Sequence, residues 1–160
     1  MTHGVQLADA PPTLATLLTA QFLHASVPHV VANMLFLAVF GPAIERLLGP
    51  ARFVALYLLC GVLGNVAQIS FDPGSHVPEI GASGAIAGIL GAYVLRFPAA
   101  HVFLRIPAFV VIGLWAAFQF EHGFGALATN VLSERGGTTA YFAHIGGFLT
   151  GVFSIGFIRR

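Results

Sequence analysis

Three polar side chains sit inside apolar stretches where polarity is costly, and together they could do nucleophilic chemistry. Ser83 lies in Gly81-Ala82-Ser83-Gly84-Ala85-Ile86-Ala87-Gly88, at the mouth of a glycine-rich run. His144 opens a second apolar run, and Asn33 sits within a third. A serine hydroxyl attacks a carbonyl only when a base takes its proton, and a buried imidazole, uncharged at neutral pH, can do so. The developing oxyanion then needs donors. The Asn33 amide can supply one, and the Ser83 backbone N–H, at the positive end of a helix dipole, another. No carboxylate is placed to orient the imidazole. Asp9 and Asp72 lie outside the apolar runs, and Glu45 and Glu121 fall at their ends. A Ser-His dyad is the arrangement left. Each residue also has a plainer reading. A serine at a helix start is commonly an N-cap, and an asparagine can simply bridge two membrane helices. Their joint occurrence on faces that can converge is what favours chemistry.

The elements must bring them together. Ser83, Ala87 and Gly91 share one helical face at i, i+4 and i+8, with Gly84 and Gly88 beside it. His144, Gly147 and Gly151 share another, and Gly147-x-x-x-Gly151 lets backbones approach closely. His29 and Asn33 are i, i+4 neighbours on a third helix.

Composition sets the surroundings. Of 160 residues, 57% are hydrophobic and 8% charged, with a mean hydropathy of +0.87. Soluble domains carry roughly 25% charged residues, so these few charges cannot cover a water-facing surface. The chain reads as an integral membrane protein of one domain, in contact with the lipid bilayer. Its seven cations are all arginine, with no basic run, so no nucleic-acid partner is expected. No H-E-x-x-H motif is present, so no metal is expected, and no pair of intramembrane aspartates is present, so an aspartyl mechanism is not expected either. Cys60 reads as a small buried hydrophobe.

Five apolar runs stand out: 30–44, 53–69, 84–97, 106–120 and 141–158. A spanning helix needs about 20 residues, so each run is expected to extend into its flanks. The third is shortest, which places Ser83 below the membrane surface and implies a water-filled cavity leading to it. Leu14–Leu23 is too short to span and reads as an interfacial segment. The expected fold is all-α, a polytopic bundle of five transmembrane helices, with residues 1–28 as the N-terminal segment and loop and 29–160 as the transmembrane domain. Six of the seven arginines fall on one side, which the positive-inside rule makes cytoplasmic. The N-terminus then lies outside, the C-terminus inside, in a cell membrane such as the bacterial inner membrane. His24 reads as interfacial. Trp115 and Phe118 are expected to face lipid or neighbouring helices, and His3, His76, His101 and His122 receive no role.

These motifs resemble the rhomboid family of intramembrane serine proteases, from about Leu17 to Phe157. The likeness rests on Phe22-Leu23-His24, His29-x-x-x-Asn33, Gly41-x-x-x-Glu45-Arg46-x-x-Gly49, Gly81-Ala82-Ser83-Gly84, and Ala143-His144-Ile145-Gly146-Gly147 with Gly151. The resemblance implies Ser83 as nucleophile, His144 as base and His29 with Asn33 at the oxyanion site. It implies cleavage of single-span membrane proteins without a cofactor. A non-catalytic or truncated relative that binds membrane helices is the alternative. Three departures stand out. Ala15-Thr16 replaces a common Trp-Arg pair. The family core has six helices, so a helix before Leu14 is expected to be missing. Ala87 stands where some members stack an aromatic on the histidine, so His144 must be held another way.

A helix in lipid bonds its own carbonyls, so a hydrolase reaches them only after the helix unwinds. Substrates are therefore expected to carry Gly, Pro or polar residues near the outer end of their span. Replacing those residues with Leu should suppress cleavage of a reporter substrate, and equal cutting of an all-Leu span would contradict this.

Overall fold

The computed structural model describes residues 14–71, 80–102, 105–117 and 141–157. Six helices carry them. α1 (Leu14–Thr19) closes in a 3-10 turn over Ala20–Phe22. α2 (Val27–Leu48) and α3 (Pro50–Phe71) follow, then α4 (Ser83–Arg96), α5 (Ala108–Ala117) and α6 (Tyr141–Phe157). Between α4 and α5 lies a short antiparallel ladder that the all-helical expectation did not include. In it His101 of β1 (His101–Val102) faces Pro107 of β2 (Ile106–Pro107). Arg105, at φ 82°, turns the chain back between the two strands.

α2 and α3 each run for 22 residues and are long and apolar enough to cross a membrane. At 1.5 Å per residue each is about 33 Å long, matching a hydrocarbon core of roughly 30 Å. They reach beyond the apolar runs at both ends, into the flanks, as span length requires. α4, α5 and α6 are shorter apolar helices over the described residues. Ser26 starts α2: its Oγ accepts from the His29 N–H at 3.3 Å, and Pro28 occupies the first turn, where its missing N–H costs nothing. Gly49, at φ 80°, separates α2 from α3 and donates its N–H to the Glu45 carbonyl at 2.7 Å.

α4 is the centre of the bundle. Gly84 through Tyr93 are buried without a break, as in a helix that neighbours enclose on all sides. α4 packs most extensively on α6, then on α3 and α2. The core around it includes Phe40, Ile44, Cys60, Ile89, Leu90 and Ile155. Phe40 of α2 meets the Tyr93 ring edge-on at 5.0 Å. Outward faces are apolar too: Val27, Val31 and Leu35 are exposed at i, i+4 and i+8 on α2, and Leu114, Phe153 and Phe157 are exposed elsewhere. Apolar surface this wide suits lipid rather than water.

α4 and α6 run parallel and nearly touch at glycines. A Cβ at Gly147 would collide with the Gly84 carbonyl oxygen, and one at Gly151 with that of Gly88. The expected Gly147 and Gly151 face is therefore a contact of backbone on backbone. The 3-10 turn after α1 is tied into the bundle. Gln21 is 1% exposed and its side chain fills the notch over Gly61 of α3.

Gly151→Ala should lower stability by about 1–3 kcal/mol, the scale of forced overpacking, because the obstructing atom is backbone. Gly113→Ala is the control: a Cβ there meets nothing within 4 Å, so helix propensity alone should raise stability by up to about 1 kcal/mol. Thermal unfolding in detergent measures both.

Candidate active site

α4 begins at Ser83, and the position before it, Ala82, has no side chain that could cap. Ser83 is thus the first helical residue and not the N-cap. Its hydroxyl is directed instead to His144, with Oγ 2.7 Å from Nε2. Ser83 is half-buried and His144 is 5% exposed. The two meet because α4 and α6 are parallel and close: Gly84 lies against Ala143, the residue before His144. As the first helical residue, Ser83 also has an N–H that the helix itself cannot pair.

The second half of the site comes from α2. The Ser26 cap sets the helical phase there, and His29 and Asn33 follow one turn apart on one face. Both lie against Gly81, two residues before Ser83. Gly81 sits at φ 126°, and a Cβ on it would fall 2.8 Å from His29 Cε1 and 3.7 Å from Asn33 Nδ2. A glycine is required both by that backbone angle and by the lack of room. Its N–H donates to the Ala20 carbonyl at 2.9 Å, which ties the segment before Ser83 to the N-terminal turn. Asn33 is 7% exposed, and its Nδ2 is buried with no hydrogen-bond partner among the described residues. Buried donors are nearly always paired, so an amide left open beside the segment before Ser83 stands out, and it could donate to an incoming acceptor.

Ser83, His144, His29 and Asn33 therefore lie at one end of the bundle. Ser83 and His144 are bonded, and His29 and Asn33 line the backbone just before Ser83. Gly84, Gly147 and Gly151 bring α4 and α6 together. His101 lies on the β-ladder. His3, His76, His122 and Phe118 lie outside the described residues.

Other neighbours are legible only in three dimensions. The His144 ring is approached by Trp115 of α5, with centroids 5.9 Å apart and planes tilted by 53°. Tyr141, one turn earlier on α6, meets it edge-on at 6.5 Å. Ala87, four residues after Ser83, is fully buried and offers no ring, so two aromatics from other positions flank the imidazole. Tyr141 could have been found from its i, i+3 spacing to His144. Trp115 could not, because it comes from another helix. His24, expected at an interface, sets its ring edge to His29 at 5.1 Å, with Nε2 buried and unpartnered among the described residues.

Comparison with known proteins places these features in context. The family model described as the rhomboid domain matches residues 11–160. The rhomboid protease GluP of Bacillus subtilis is 35% identical over 144 residues, covering 86% of this chain. The mitochondrial rhomboid protein 1 of Saccharomyces cerevisiae is 30% identical over 86% of this chain. The mitochondrial presenilin-associated rhomboid-like protein A of Danio rerio is 34% identical over 86% of it. The matched region is 25% of the first relative, 40% of the second and 36% of the third.

Asn33→Ala should leave the fold intact, since Nδ2 has no protein partner to lose. It should slow acylation of Ser83 by a fluorophosphonate by about 10²-fold, the scale of one oxyanion donor. An unchanged acylation rate would assign Asn33 to packing alone.

Proposed function

The chain belongs to the rhomboid family, and from that premise we propose that it is an intramembrane serine endopeptidase cleaving single-span membrane proteins. Rhomboid proteins are integral to membranes, and the two long apolar helices and lipid-suited faces agree with that. The observation that carries the reading is the 2.7 Å contact between Ser83 Oγ and His144 Nε2, beside an open Asn33 amide.

The steps follow from that geometry. Ser83 Oγ attacks the scissile carbonyl carbon while its proton passes to His144 Nε2. The carbonyl oxygen becomes an oxyanion, which takes hydrogen bonds from Asn33 Nδ2, the Ser83 N–H and the His29 ring. The C–N bond then breaks, and the leaving nitrogen takes the proton from Nε2. An acyl ester on Ser83 remains. Water attacks the ester, losing its proton to Nε2, and the second tetrahedral intermediate collapses to release the acid and return the proton to Oγ. Reactants and catalysts are protein side chains and water, so the cycle calls for no cofactor. Trp115 and Tyr141 flank the imidazole and are rings in place to help hold it.

The bundle's charge supports an orientation. α4 runs from Ser83 to Arg96, and the α2–α3 junction carries Arg46 and Arg52. With that end cytoplasmic, the catalytic end opens to the outside, as in a bacterial inner membrane.

A fluorophosphonate probe on the purified protein tests the reading. Labelling should occur at Ser83 and require His144. Ser83→Ala and His144→Ala should each abolish cleavage of a single-span substrate, and the double variant should be no worse, because residues acting as a unit are not additive. Substantial turnover by Ser83→Ala would sink the mechanism. Absence of labelling with retained binding of membrane helices would favour a non-catalytic role.

A further inference from the structure

Helix α6 needs something at its N-terminus, and α3 supplies it. The first N–H groups of any helix have no partner within it. In an ordinary start, an N-cap side chain accepts from the second or third of them. Here the second and third residues of α6 are Phe142 and Ala143, and both donate to Oε1 of Gln68, at 2.9 Å and 3.3 Å. Gln68 lies 74 positions before Phe142 in the chain and is 2% exposed. Both partners are donors, so the amide must present its oxygen, whose two lone pairs accept both. The bonds are reinforced by packing. Phe71, near the end of α3, stacks on Phe142 with centroids 4.5 Å apart and planes within 10°. Gly64 leaves room for the Ala143 carbonyl, and Gly146 lies against Ala67.

We propose that Gln68 is a positioning residue of the active site: it caps α6 from α3 and so fixes the backbone that carries His144. The inference rests on the reading of His144 as the base. His144 follows Ala143 directly, so the second of the two capped N–H groups belongs to the residue just before it. Ser83 is held separately, by α4. The distance between Oγ and Nε2 is therefore set by how the first turn of α6 is anchored. With the acceptor gone, two buried N–H groups lose their partner, and the first turn rewinds or frays to satisfy them. A displacement of about 1 Å at a reacting group is enough to cost on the order of 10² in rate. Binding of substrate, which His144 does not govern, should be little affected.

Three proteins decide it: wild type, Gln68→Leu, which removes the acceptor at similar size, and Gln68→Glu, which keeps an oxygen in place. Two readouts are taken, steady-state kinetics on a single-span substrate and hydrogen exchange at the Phe142 and Ala143 amides. For Gln68→Leu we expect kcat to fall about 10- to 100-fold with KM changed less than about twofold. Exchange at the two amides should rise at least about 10-fold. Gln68→Glu should restore both readouts most of the way. If Gln68→Leu does not accumulate, Gln68→Ser replaces it with the same expectations. Wild-type exchange at both amides in the Leu or Ser variant would overturn the proposal. So would a loss of activity that merely follows the folded fraction, or one that Glu does not rescue. A wild-type protein that neither labels nor cleaves would instead sink the protease reading. The exchange measurement would then still decide whether Gln68 anchors α6.

Discussion

Parallel contact between the backbones of α4 and α6 sets the arrangement at the Ser83 end of the bundle. Two helices normally stand 8–10 Å apart, with side chains between them. Here Gly147 and Gly151 lie against the backbone carbonyls of Gly84 and Gly88 with no room for a Cβ of their own. In lipid there is no hydrophobic drive to bring helices together, so close van der Waals contact between small residues must do it. Parallel running has a second effect. It puts the N-termini of α4 and α6 at one end, and with them Ser83 and His144. An antiparallel pair with the same faces would have placed the two residues at opposite sides of the membrane.

The polar groups of the bundle are arranged around that contact, mostly through α3. The Asn65 amide donates to the Leu17 carbonyl at 3.0 Å, and Gln21 reaches back from the N-terminal turn to the Leu58 carbonyl at 3.5 Å. The same turn accepts the Gly81 N–H through Ala20. α3 thus connects to the segment before Ser83 on one side and to the start of α6 on the other. In a medium without water each of these groups needs a protein partner. Among the described residues, the side-chain atoms left open include Gln21 Oε1 in that same turn, and Asn33 Nδ2 and His24 Nε2 near the Ser83 end.

Much of this was legible in the sequence, and the reasons can be traced to particular residues. Ser83, His144 and Asn33 stood out because a bilayer penalises polarity, so each needed an explanation. Gly147 and Gly151 announced a close contact by their spacing. The shortness of α4 followed from Pro78, Glu79 and Pro98 around it. Where reading failed, the missing information was long-range. Gln68 is one polar residue near a helix end, and nothing local in the sequence links it to Phe142. Trp115 is expected to face lipid or a neighbouring helix, and it does meet a neighbouring helix, but nothing local singles out His144 as its partner. Gln21 marked the N-terminal segment as polar, although it is buried over Gly61. The β-ladder escaped notice because two-residue strands carry no periodicity.

The level of Ser83 within the bundle carries a geometric consequence. Gly81 lies against His29 and Asn33, the third and seventh residues of α2. At 1.5 Å per residue, that level is about 3–9 Å inward from the start of the helix. Under the proposed protease reading, the bundle acts as a ruler with a single mark. A helical segment lying beside α2 advances 1.5 Å per residue, whereas the same segment pulled straight advances more than 3 Å. Which peptide bond reaches the mark then depends on how many residues have unwound above it, and on where the segment is anchored in the headgroups. Two segments with the same residues around the bond but different lengths of outer flank would be measured differently. Selection by such a device reads height in the membrane as much as chemical identity.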